Sequence, residues 1–150
     1  DGAAVQSKAV ALAVQHDPED TFPYDEFVQD LLGLVRTPQM RDKIQEVGDL
    51  ISSRVDPSVA AQRLGRTVAV HESLPFALYS FLLYPKSFEE CLFCAILNGG
   101  DRDTLGAMAC AISGAYLGIK AIPKSWLEKL ENRQYLEGLA SRLLEVKPLF

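Results

Sequence analysis

Histidine and cysteine are scarce in this 150-residue chain, with two of the first and three of the second, and tryptophan occurs once. So few cysteines, in an odd number, exclude a disulfide-stapled secreted scaffold and set the expectation of a reduced, intracellular protein. Basic charge is also in short supply: 15 Lys+Arg stand against 20 Asp+Glu, for a formal net charge of -5. A net-basic surface for nucleic acid is therefore not expected. No apolar run approaches the roughly 20 residues that a membrane-spanning helix needs, and no secretory leader pattern is recognisable, so no membrane partner is expected either. The marks of a sheet are missing too, because no two alternating runs flank an Asn-Gly or Asp-Gly turn. What remains is ample apolar material, 48% of all residues, for one domain-sized core.

Helical spacing accounts for nearly all of that material. Ala3 to Gln15 is alanine-rich and too densely apolar for an exposed helix. The acidic, proline-bearing stretch His16 to Pro23 reads as a loop. Phe27, Val28, Leu31, Leu32 and Val35 recur at helical steps within Tyr24 to Val35. Thr37-Pro38 and Asp56-Pro57 each place a capping side chain before a proline suited to a first helical turn. They open helices to about Arg54 and to Gln62 or Leu64, the second ended by Gly65. Arg66 to Glu72 is expected to be an irregular connection, with Ser73 capping a helix through Tyr84 and Pro75 in its first turn. Phe88 to Leu97, about Thr104 to Leu117, Lys124 to Leu130 and Tyr135 to Val146 complete an all-α set. Ala3 to Val14 and Thr104 to Leu117 are so poor in charge that each is expected to be enclosed by other helices.

Chemistry concentrates between Asn98 and Thr104, in the string NGGDRDT. Gly99 and Gly100 permit a tight or positive-φ approach that a side chain would block. Asp101, Asp103 and Thr104 offer two carboxylates and a hydroxyl, the hard oxygen donors that magnesium, manganese or calcium prefers. Two readings stand here: a metal site, or an aspartate that caps the following helix while the other faces water. Three oxygens do not fill an octahedral shell, so further donors would have to come from elsewhere. The string fits neither a Walker loop nor the twelve-residue calcium loop.

Other candidates are weaker. Cys91 and Cys94 form a CxxC inside a helical run, with no second pair, and are expected to be small buried residues. His71-Glu72-Ser73 lacks the setting of a hydrolytic triad. Glu72 is either a helix-start carboxylate or a group that orients a metal-bound water or ligand hydroxyl. Tyr79, Tyr84, Tyr116 and Trp126 read by default as core or supporting aromatics.

The run Gly99 to Trp126, GGDRDTLGAMACAISGAYLGIKAIPKSW, resembles the C-terminal signature of the ADP-ribosylglycohydrolase family, above all the branch that removes ADP-ribose from serine and degrades poly(ADP-ribose). His71 to Leu82, HESLPFALYSFL, is similar to the segment that the family places before it, and the resemblance extends over essentially the whole chain. It implies an all-α fold, here the C-terminal part of a compact orthogonal multi-helix domain with a binuclear metal site. It also implies that Asp101, Asp103 and Thr104 ligate a two-magnesium centre, that Gly99 and Gly100 shape the approach to it, and that Glu72 lies near the cleft. Arg102 departs from the threonine or serine of many relatives, at a position that is not a metal ligand. The implied reaction is attack of water at the anomeric carbon of ADP-ribose, releasing a protein side chain.

The family's other landmarks, a Thr-Asp-Asp run with a nearby acidic residue and a glycine-rich phosphate loop, do not occur here. With Asp1 in place of Met and two nearly uncharged helices, this sets the expectation of half a site, completed by an N-terminal part of the same gene product. The expected partners are ADP-ribose or ADP-ribosylated protein and that N-terminal fragment. The expected compartment is the cytoplasm, with nucleus and mitochondrion as alternatives. Two other classes stay open: an inactive ADP-ribose-binding or structural relative, and a helical interaction domain.

Overall fold

Proline and polar caps fix several helix starts, as the sequence predicts. In a computed structural model describing residues 1–146, Pro38 and Pro57 each occupy the first turn of a helix, α3 (Pro38–Ser52) and α4 (Pro57–Leu64). Their missing N–H groups cost nothing there. Asp56 caps α4 by accepting from the Ser58 backbone N–H at 2.8 Å. Among the described residues the other helices are α1 (Gly2–Ala13), α2 (Tyr24–Leu34), α5 (Val70–Leu83), α6 (Phe88–Leu97), α7 (Arg102–Leu117), α8 (Lys124–Lys129) and α9 (Arg133–Glu145), with a 3-10 turn at Ile119–Ala121. No strand occurs among the described residues, which makes the chain all-α.

The hub is α5, which packs against α1, α3, α4, α6 and α7. Every residue from Ser73 to Leu82 is buried, so this helix has apolar neighbours on all sides. The predicted loop before α2 adds to the core: Phe22 is buried and sets its ring edge against Phe81 and Tyr116, with centroids 5.3 and 5.2 Å away. Such edge-to-face pairs contribute about 0.5–1.5 kcal/mol beyond their burial. Lys86 holds this loop down by donating from Nζ to the carbonyls of Pro18 and Asp20.

The starts of α5 and α7 differ from the sequence expectation. Ser73 does not cap α5: the helix begins three residues earlier, at Val70, after an extended Ala69. The Ser73 hydroxyl instead donates back to the Ala69 carbonyl at 3.2 Å, and Pro75 lies inside the helix. Glu72, in the first turn, takes over the terminus by accepting from the Thr67 backbone N–H at 3.2 Å, a carboxylate role favoured at a helix start. Likewise α7 begins at Arg102, so Asp103 and Thr104 lie within its first turn and not in an irregular segment before it.

The two charge-poor helices are covered on one side only. α1 buries Val5, Ala9, Leu12 and Ala13, yet Ala3, Ala4, Ser7, Ala11 and Val14 are exposed. α7 buries Leu105, Ala109, Ile112 and Tyr116, with Ala107 and Ala111 exposed. α8 and α9 bury no residue, and the expected apolar stripe of α9 leaves Leu136 and Leu143 exposed. Periodicity reports which face of a helix is apolar, not whether a neighbour stands beside it.

Candidate functional site

The site lies where the 65–69 connection meets the turn from α6 into α7. Gly99 and Gly100 both take positive φ, +82° and +79°, the left-handed region that glycine enters without penalty. Space is decisive only at Gly100, where a Cβ would fall 2.0 Å from the Arg66 carbonyl oxygen. At Gly99 the nearest atoms would be those of the Arg66 guanidinium, 3.8 Å away. This close approach lets the Asp101 backbone N–H donate to the Arg66 carbonyl at 2.9 Å. The Arg66 guanidinium in turn donates to the Asn98 carbonyl, and Asn98 Nδ2 donates to the Cys94 carbonyl at 2.7 Å. Arg66 therefore fastens both arms of the turn.

From that turn α7 carries its oxygen donors outward. Asp101 occupies the N-cap position but makes no side-chain capping bond, and Asp103 accepts from the adjoining Thr104 N–H at 3.0 Å. The capping alternative thus has no hydrogen bond behind it at Asp101. The two carboxyl groups come together: a hydrogen bond with Asp101, followed by the Thr104 backbone N–H, holds the Asp103 carboxyl below the ordinary aspartate range. Neither aspartate takes part in an ion pair among the described residues. Asp103 and Thr104 are exposed and Asp101 is half-buried.

Adjacent carboxylates and a hydroxyl, outside any ion pair among the described residues, suit a hard divalent ion. The donor set is nonetheless partial, because no group of three His, Cys, Asp or Glu that could hold a metal gathers among the described residues. Carboxylates or waters from outside this set would have to complete six-coordination.

Glu72 stands on the other side of the connection. Its carboxylate bonds the hydroxyl and the backbone N–H of Thr67, which lower its pKa from the ordinary glutamate value. Its Cγ lies where a Cβ on Gly65 would come within 2.4 Å, and Gly65 has φ +89°. His71 Nε2 is 4.0 Å from Glu72 Oε1. The sequence reading did not single out Arg66 or Thr67. Their only signal in the sequence is position, in the stretch expected to be an irregular connection.

The cysteines are far from this chemistry in character. Cys91 and Cys94 are buried in α6, and burial raises both thiols above their usual pKa. The Cys110 thiol is pushed up to about 11 by the same cause. Tyr79 is fully buried, with its hydroxyl donating to the Val55 carbonyl. Tyr116 is buried in the aromatic cluster, while Tyr84 and Trp126 are half-buried.

Fold and site together define an all-helical protein whose oxygen donors cluster at one helix start. Residues 1–149 match the ADP-ribosylglycohydrolase family, and the chain belongs to that family. It is 37% identical over 140 residues to an uncharacterized protein of Archaeoglobus fulgidus, an alignment covering 92% of this chain and 44% of that protein. It is 29% identical over 174 residues to the ADP-ribosylhydrolase ARH3 of Homo sapiens, covering 97% of this chain and 47% of the human protein. With the mouse ARH3 it shares 33% identity over 126 residues, 77% of this chain and 34% of that one. The chain spans about half the length, or less, of these curated relatives.

Proposed function

We propose that this chain is the C-terminal part of a magnesium-dependent hydrolase that cleaves the glycosidic bond between ADP-ribose and a protein side chain, serine foremost, or within poly(ADP-ribose). The observation that carries the proposal is the Asp101 and Asp103 pair, outside any ion pair among the described residues, beside Thr104 at the head of α7 in a member of the ADP-ribosylglycohydrolase family. Asp101, Asp103 and Thr104 would hold the metal. Bound magnesium supplies Lewis acidity toward ribose hydroxyls and water. In the net reaction a water oxygen bonds to the anomeric carbon, the bond to the serine oxygen breaks, and that oxygen leaves with a proton. Gly99 and Gly100 keep the approach to the carboxylates free of side chains.

Three donors cannot make a two-metal centre, so the remaining ligands belong to an N-terminal part of the same protein. The exposed small and apolar residues of α1 and α7, Ala3, Ala4, Ala11, Ala107 and Ala111 among them, suit burial against helices of that part. The test joins this chain to that part and follows ADP-ribose release from a serine-ADP-ribosylated peptide with and without magnesium. Release that needs the metal and is lost in Asp101→Asn and Asp103→Asn supports the proposal. Retained ADP-ribose binding with no release in any metal would assign the protein to the inactive, binding class instead.

A further inference from the structure

Glu72 bonds no group of the Asn98–Thr104 turn, yet hydrogen bonds lead from it into that turn. Its carboxylate grips Thr67 through both the backbone N–H and the hydroxyl. Thr67 Oγ1 also accepts from the Ala69 N–H at 3.3 Å, so the short connection is tied at two places. Gly65 lies so close on the Glu72 side chain that only a residue without Cβ fits. The residue between these two anchors is Arg66, whose carbonyl receives the Asp101 N–H and whose guanidinium reaches Asn98. We infer that Glu72 is a positioning residue: through Thr67 and Arg66 it sets the place of the Asp101 backbone, and so preorganises the Asp101 and Asp103 carboxylates for a divalent cation.

The inference rests on the reading of those aspartates as metal ligands, and it gives Glu72 a different task from orienting water or substrate. A carboxylate already engaged by two donors of its own connection is held in one orientation, as a supporting group must be. The brace is also economical in sequence, because every member except the turn itself lies between Gly65 and Glu72. A change at Glu72 therefore reaches the metal end of α7 by one short route.

The test is made on the 150-residue chain with manganese as the probe. Amide hydrogen exchange at Asp101 reports the bond to the Arg66 carbonyl without any metal, and the Leu78 amide in the core of α5 serves as the control. Glu72→Ala is expected to speed exchange at Asp101 about five- to tenfold, the loss of roughly one hydrogen bond's worth of protection, with Leu78 unchanged. Manganese affinity, read by paramagnetic broadening of the Asp103 and Thr104 amides, should fall by a similar factor. Glu72→Gln keeps an oxygen acceptor and should restore both within about twofold. Unchanged exchange at Asp101 in Glu72→Ala overturns the inference, as does a Glu72→Gln variant as loose as the alanine. Should Glu72→Ala fail to fold, Thr67→Val removes the hydroxyl with its contacts to Glu72 and to the Ala69 N–H, and unaltered Asp101 exchange in it is equally contrary. Asp101→Asn separates the two levels: if it leaves manganese binding intact, the metal reading fails, while exchange at Asp101 still judges the brace.

Discussion

Gly99 and Gly100 form a natural pair for separating backbone strain from lack of space. Their φ values differ by little, +82° and +79°, so an alanine at either position meets the same left-handed penalty, about 1–2 kcal/mol. Their surroundings differ greatly. An alanine Cβ at Gly99 finds its nearest neighbours at 3.8 Å, in the flexible Arg66 side chain, which is ordinary contact. At Gly100 the Cβ would meet the Arg66 carbonyl oxygen at 2.0 Å and its carbon at 2.9 Å, both backbone atoms. The Arg66 carbonyl must then retreat far enough to lose the Asp101 N–H, and that hydrogen bond adds about 0.5–1.5 kcal/mol. Gly99→Ala should therefore cost about 1–2 kcal/mol and Gly100→Ala about 1.5–3.5 kcal/mol. Urea unfolding followed by far-ultraviolet circular dichroism reads both, with equal slopes licensing the comparison of midpoints. Equal losses for the two variants, or a larger loss for Gly99→Ala, would refute the account of the turn.

Thiol chemistry offers an independent check on burial. All three cysteines should react slowly with an aromatic disulfide reagent at pH 8 in the folded chain and quickly in denaturant, since the raised pKa values keep them protonated. Because unfolded thiols ionise near pH 8.5 and Cys110 holds its proton to about 11, stability should decline as pH rises through that interval. Urea midpoints at pH 8 and pH 10 measure the decline, and the triple serine variant should lessen it. Ser87→Ala removes the acceptor that caps α6 at the Glu90 N–H, 3.2 Å away, and should cost about 1 kcal/mol in chemical denaturation. Tyr79→Phe leaves the Val55 carbonyl without its donor and should lower stability by about 1–1.5 kcal/mol, while circular dichroism keeps its helical form.

Sequence alone determined the helical class, most of the helix bounds and the position of the oxygen-rich turn. Those features are local. Pro38 and Pro57 mark first turns through their own ring geometry, and Gly99-Gly100 marks a sharp turn because no other residue accepts its φ cheaply. The start of α5 escaped it, because Ser73 and Pro75 imitate a cap and a first turn, while the terminus is in fact held by Glu72 reaching back to Thr67. Proline at an interior position is tolerated in a helix enclosed by five others, a fact of packing that no local propensity carries.

Only the tertiary structure decided what stands next to what. That Arg66 lies against Gly100 joins residues more than thirty positions apart, and no spacing rule connects them. The coverage of α1 and α7 on one side only, and of α8 and α9 on none, follows from which neighbours the described chain supplies. A helix writes its own periodicity into sequence, since residues three and four apart share a face. The partner of that face is written elsewhere in the chain and becomes visible only when the two are brought together.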